Sequence, residues 1–168
     1  GSNLSECFLK SVRSLETGVC HLHLAKFDSM SNDEILSYIG EFKDDNIYAV
    51  TELIRRGVSI EKLHEVTMIT ELFLECIKSI VDMENELSAN KGSVDVLGRA
   101  KKMGFSDKFI ARLWNEDEIN IYSLRKQNGI VPIFKMVDTL HTGKYIAYLY
   151  SSYTGENASR LTDKKKIV

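Results

Sequence analysis

Proline is nearly missing from this chain: Pro132 is the only one in 168 residues, beside ten glycines. An all-β fold needs a turn signal about every ten residues, and so few breakers exclude one. Cysteine is also scarce. Cys7, Cys20 and Cys76 are odd in number, widely spaced and form no C-x-x-C pair, which rules out a disulfide framework or a zinc knuckle and predicts a reducing, cytoplasmic setting. Neither sign of charge dominates, with 22 Lys and Arg against 24 Asp and Glu, so no global positive field draws the chain to nucleic acid or to an acidic membrane. There is no apolar run near the ~20 residues of a membrane span, no signal-peptide pattern and no initiator methionine. Gly1 and Ser2 have the look of a cloning remnant, which leads to the expectation of an excised piece of a longer protein.

What is present is ordinary globular material, 43% hydrophobic and 27% charged. A chain of this length buries roughly 70% of its unfolded surface, enough for one self-sufficient core. The periodicity is helical. Phe8, Leu9, Val12 and Leu15 share a face that Gly18 is placed to end. His21 and His23 then stand two apart, a spacing that offers two metal ligands from one strand face, but no third ligand cluster follows and the reading is an exposed connector. Ser31 to Glu34 has capping-box spacing and opens a helix with Ile35, Leu36, Ile39 and Phe42 on one side. Another helix runs from Asn46 to Arg56-Gly57, and Ser59 caps the next. The longest is expected over Thr70 to Leu87, with Leu72, Phe73, Cys76, Ile77, Ile80, Val81, Met83, Glu84 and Leu87 on its apolar side. The acidic run Asp82 to Glu86 reads as a solvated face, since carboxylates on a rigid helix do not converge on a cation. Ser93 and Ser106 cap two further helices, and Phe105 and Ile110 are spaced for a hydrophobic staple between them. The fold class is therefore all-α, an irregular multi-helix bundle of short helices with an extended, aromatic C-terminal segment.

Between Gly104 and Thr139 two short helices flank a polar turn, the second opened by Asn115 and Glu118 and carrying Ile119, Tyr122 and Leu124. That is also the outline of a helix-turn-helix, the alternative function. A DNA reader presents Arg, Lys, Asn or Gln from its second helix. Here that helix begins Glu116-Asp117-Glu118, where phosphate repulsion would be greatest, and no nucleic-acid partner is expected.

The same region carries a resemblance. The runs LGRAKKMGFSDKFIARLW, SLRKQNGIVPIFKMVDT and YLYSSY resemble the large subunit of carbamoyl phosphate synthetase, in the helical domain between its two ATP-grasp halves. Upstream, Phe8 to Glu16 resembles the final helix of the first half, and LIRRGVSIEKLHEVTMITELFL the early part of the domain. Thr162 to Val168 resembles the entry into the second half. Glu71 and Leu72 depart from the family's Asp-Trp, and Leu140 to Lys144 replace its Cys-Ala-x-Glu-Phe in a shorter segment.

The resemblance implies residues 1–18 as the end of the preceding half, 19–158 as a helical oligomerisation domain and 159–168 as a linker. It implies a parent enzyme, an ATP-dependent carbon-nitrogen ligase that makes carbamoyl phosphate from bicarbonate, glutamine-derived ammonia and two ATP for arginine and pyrimidine synthesis. ATP and Mg or Mn would serve the flanking halves, and a small glutaminase subunit would complete the complex. The fragment itself is expected to hold no catalytic, cofactor or metal site. Thr142-Gly143-Lys144 lacks the rest of a phosphate loop, and no nucleophile stands near a base in sequence. Leu36 and Ile39 are the candidates for self-association, and Lys135 with Asp138 for an interdomain contact.

Overall fold

Four serines set the corners of the helical bundle. In this computed structural model, which describes residues 1–138, 143 and 148–159, the side chains of Ser31, Ser59, Ser93 and Ser106 accept hydrogen bonds from the backbone N–H of Glu34, Lys62, Val96 and Phe109. Each satisfies one of the orphan donors of a helix start. They open α2 (Asn32–Ile39), α4 (Ile60–Thr67), α6 (Val94–Lys102) and α7 (Asp107–Trp114). At α2 the full capping box forms. Around these lie α1 (Leu4–Ser14), α3 (Asn46–Arg55), α5 (Glu71–Ala89) and α8 (Glu118–Gln127). A single 3-10 turn, Ala25–Phe27, interrupts the connector from α1 to α2.

Two expected boundaries move. The left-handed residue that follows α1 is Glu16, at φ 54°, ahead of Gly18. Asn115 is not the start of α8 but the left-handed end of α7, at φ 51°, a conformation its short polar side chain tolerates. Asp117 takes the N-cap position of α8.

The rod of the bundle is α5, which packs against α1, α3, α4, α6 and α7. Its inward stripe is Leu74, Ile77, Ile80, Val81, Met83, Glu84 and Leu87. Leu72 is 70% exposed, because it stands on the side of the helix opposite Leu74. Phe73 is half out and meets the Phe8 ring edge-on at 6.2 Å. Trp114 is buried, and its Nε1–H donates to the Leu87 carbonyl at 2.7 Å. That carbonyl belongs to the last turn of α5 and has no intrahelical donor. Phe105 and Ile110 are both buried in the same core, as the staple requires.

After α8 the chain turns extended and forms a two-stranded antiparallel sheet. Strand β1 (Ile133–Met136) pairs with β2 (Leu149–Ser152) in the register Ile133 to Ser152 and Met136 to Leu149. An isolated hairpin is marginal in water, and this one is pinned to α1. Ser152 Oγ donates to Glu6 Oε2 at 3.3 Å, and Lys10 Nζ donates to the Ser151 carbonyl. The α6–α7 corner comes down on the same helix: Gly104 lies at φ 95°, and a Cβ there would stand 2.8 Å from Glu6 Cα. Only glycine fits both demands. Thr139, the altered segment Leu140 to Lys144 apart from Gly143, Tyr145 and the tail Thr162 to Val168 lie outside the described residues.

Candidate functional site

Two charge clusters sit inside the bundle. In the first, Arg55 at the end of α3 reaches Glu84 on α5, its Nε donating to Oε2 at 2.8 Å and its Nη2 to Oε1 at 3.0 Å. His21 Nε2 stands 2.8 Å from the same Oε1. Of the acidic run expected to be a solvated face, Asp82 is exposed and Glu86 half-buried, but Glu84, also counted on the inward stripe of the helix, is 7% exposed and points into the core. Burial alone would raise its carboxyl, but the hydrogen bonds from His21 and Arg55 outweigh that and hold it below the usual carboxylate range. Burial pushes the His21 imidazole below its ordinary value, against the pull of Glu84 and with the added push of Arg55 and Arg13. The pair is therefore a charged carboxylate and a neutral imidazole, with Arg55 as the counter-ion.

The connector that His21 belongs to is likewise not an exposed one. His21, Leu22 and Phe27 are buried, and the ring of His21 stacks on Phe109 with centroids 3.6 Å apart. Arg55 Nη2 donates to the Leu22 carbonyl at 2.6 Å; the neighbouring Arg56 donates to the carbonyls of Phe27 and Met30 at 2.8 and 2.5 Å. Glu52 holds both arginines from the preceding turn. His23, by contrast, is at the surface with Asp28. The two histidines do not share a face, and among the described residues no group of three His, Cys, Asp or Glu is placed to hold a metal ion.

The second cluster lies in the stretch that outlined a helix-turn-helix. Asp107 at the start of α7 takes Lys101 Nζ on Oδ1 and Arg125 Nε on Oδ2, both at 2.7 Å. Lys101 also donates to the Phe105 carbonyl, and Arg125 to the Ile130 carbonyl at 3.3 Å. Tyr153 lies over both cations, 4.9 Å from Lys101 Nζ and 5.8 Å from the Arg125 guanidinium. Burial lowers the Lys101 ammonium below its ordinary value, and Asp107 opposes that. Arg125 explains why α8 turns the way it does: Ile121 and Arg125 face inward, while Ile119 and Tyr122 are 65% and 40% exposed. Arg125 is thereby spent inside the fold and is not available to a base edge.

The four residues singled out from sequence differ in their placement. Ile39 is 1% exposed and belongs to the core; Leu36 is half-buried against it. Phe42, the last residue of the same stripe, lies beyond the end of α2 and is 88% exposed. Lys135 and Asp138 lie on and just after β1. Lys135 Nζ is 3.4 Å from Ser2 Oγ, and Asp138 Oδ2 accepts from the Gly143 N–H at 2.7 Å. Residues of α1 and α3 line an open, largely apolar groove of about 350 Å³, with Leu4, Phe8, Val12, Leu15, Ile47 and Tyr48 in its walls. No helix among the described residues is long and apolar enough to cross a membrane.

Sequence reasoning did not find Arg55, Arg56, Asp107, Lys101 or Arg125 as organising residues. For Asp107 a signal existed, an acid in the first turn of a helix with a lysine six residues before it. Measured against known protein families, residues 1–129 match the model of the carbamoyl-phosphate synthetase large chain, oligomerisation domain.

Proposed function

The chain belongs to the carbamoyl-phosphate synthetase large-chain oligomerisation-domain family, and on that premise we propose that it is a non-catalytic scaffold that self-associates and holds the two synthetase halves of its parent in register. The parent, in this reading, is the ATP-dependent ligase that makes carbamoyl phosphate for arginine and pyrimidine synthesis in the cytoplasm. ATP, its divalent cation and the glutaminase partner belong to the flanking parts. The observation that carries the reading is the family match over three quarters of the chain. The use of the interior charges supports it: Glu84, Asp107, Arg55 and Arg125 are committed to one another and to backbone carbonyls rather than turned toward a substrate.

Two surfaces are assigned to the two tasks. The α2 face, with Leu36 at the surface, Ile39 behind it and Phe42 exposed beyond, meets a second copy. The hairpin with Lys135 and Asp138, and the α1–α3 groove, meet the flanking halves. An aromatic as exposed as Phe42 is the kind of side chain that anchors an interface. Light scattering on the wild type and on Leu36→Glu tests the first assignment: the wild type is expected to show a species heavier than 19.1 kDa and the variant to lose it. An unchanged assembly in the variant removes α2 from the interface.

A further inference from the structure

The connector between α1 and α2, residues 16–30, is largely without helix and sends His21, Leu22 and Phe27 into the core. It is held by side chains reaching in from other elements. Arg55 and Arg56 grip its carbonyls, and His21 plugs it into the core against Phe109 and Glu84. Because Glu84 is charged and accepts only, the neutral imidazole donates from Nε2 and leaves Nδ1 as a bare lone pair. Nδ1 is buried with no hydrogen-bond partner.

We propose that this arrangement is an acid-released latch, in which a proton on His21 Nδ1 frees the connector from the bundle. The proton turns Nδ1 into a donor in a place that holds no acceptor, and an unsatisfied buried donor is expensive. The new charge is met from every packed element. From α1 it faces Arg13, half-buried, with its Nη1 buried and unpartnered among the described residues; from α3 Arg55, with Glu52 behind it; from α5 Glu84; and at the rim on α7 Arg112. Within the connector Cys20 is adjacent, and His23 is engaged with Asp28. Among the described residues Glu84 is the acid hydrogen-bonded to the ring, and it is already shared with Arg55. Outside the core the imidazole takes the proton freely in water, so acid favours the released state. Since α1 leads into the connector and α2 leaves it, release uncouples the first helix from the α2 face.

Hydrogen exchange on the 168-residue chain, corrected for intrinsic rate, tests the latch between about pH 7.5 and about pH 5.5. Opening of residues 16–30 relative to α7 is expected to rise as pH falls, by up to about tenfold at one unit below the ordinary imidazole value. His21→Gln keeps a donor for Glu84 but cannot take the proton, and is expected to abolish the rise; His23→Gln is expected to leave it. A connector equally protected at both pH values, or a rise retained in His21→Gln, overturns the proposal. Should His21→Gln fail to fold, the wild type decides. The imidazole midpoint of His21 read by NMR must coincide with the opening midpoint, and separate midpoints overturn the latch.

Discussion

At the scale of single residues the fold depends on three shared carboxylates, each answering to two basic groups: Glu52 to arginines of its own helix, Glu84 and Asp107 to groups from other elements. Glu84 is the most exacting because Arg55 and His21 both converge on it from outside its own helix. Removing one partner of a buried ion pair strands the other, so Glu84→Ala is expected to cost about 3–5 kcal/mol in urea unfolding. A loss below about 1 kcal/mol would place the pair in the class of exposed salt bridges. The same residues set the acid limit of stability. The folded-state value of His21 is depressed below 6.5, so the native state binds fewer protons than the unfolded chain in the window beneath it. Its contribution is full above about pH 6.5 and is lost as pH falls through the lowered value. Glu84 is depressed below 4.5 and acts in the same direction further down, its contribution present above about pH 4.5 and lost as its carboxylate protonates.

At the scale of elements, what could be read in advance was whatever is encoded within one turn. Ser31, Ser59, Ser93 and Ser106 act on N–H groups three residues away, so their signal is local and each of these helix starts was legible. The inward stripe of α5 was largely legible too, from Ile77 to Leu87, but the partners of its one buried acid and the inward face of α8 were not. Glu84 meets a histidine 63 positions earlier, and Arg125 an aspartate 18 positions earlier. No window of local periodicity contains both members, and hydrophobicity alone turned α8 with Ile119 and Tyr122 inward. The candidate surface residues divide in the same way: Leu36 could be placed on a helix face, but whether Ile39 would be core depended on what α3 and α4 laid against α2. One element carries removable strain. Met68 ends α4 in the left-handed region at φ 57° and is 73% exposed. A side chain there costs about 1–2 kcal/mol, part of which glycine returns as lost chain entropy. Met68→Gly should therefore raise stability by up to about 1 kcal/mol, seen as a rise in Tm, whereas a fall would mean that Met68 packs in a way its exposure hides.

At the scale of the whole molecule, α5 gathers the helices and the hairpin closes over α1, so the polar interior is inward-looking and the chemistry that remains is on the outside. Two outer regions are apolar and far apart in role. The α2 end carries Phe42 and Leu36, and the α1–α3 groove carries Leu4, Phe8 and Leu15. Monomers seldom leave such patches open. A domain whose family is defined by oligomerisation, and which leaves Phe42 and Leu15 exposed at its surface, is expected to find its own copy before it finds a substrate. Equilibrium sedimentation of the chain over a concentration series up to about the millimolar range tests this most directly. The account predicts a mass that climbs from 19.1 kDa toward a whole-number multiple of it as concentration rises. A mass that stays at the monomer value throughout would contradict the scaffold reading.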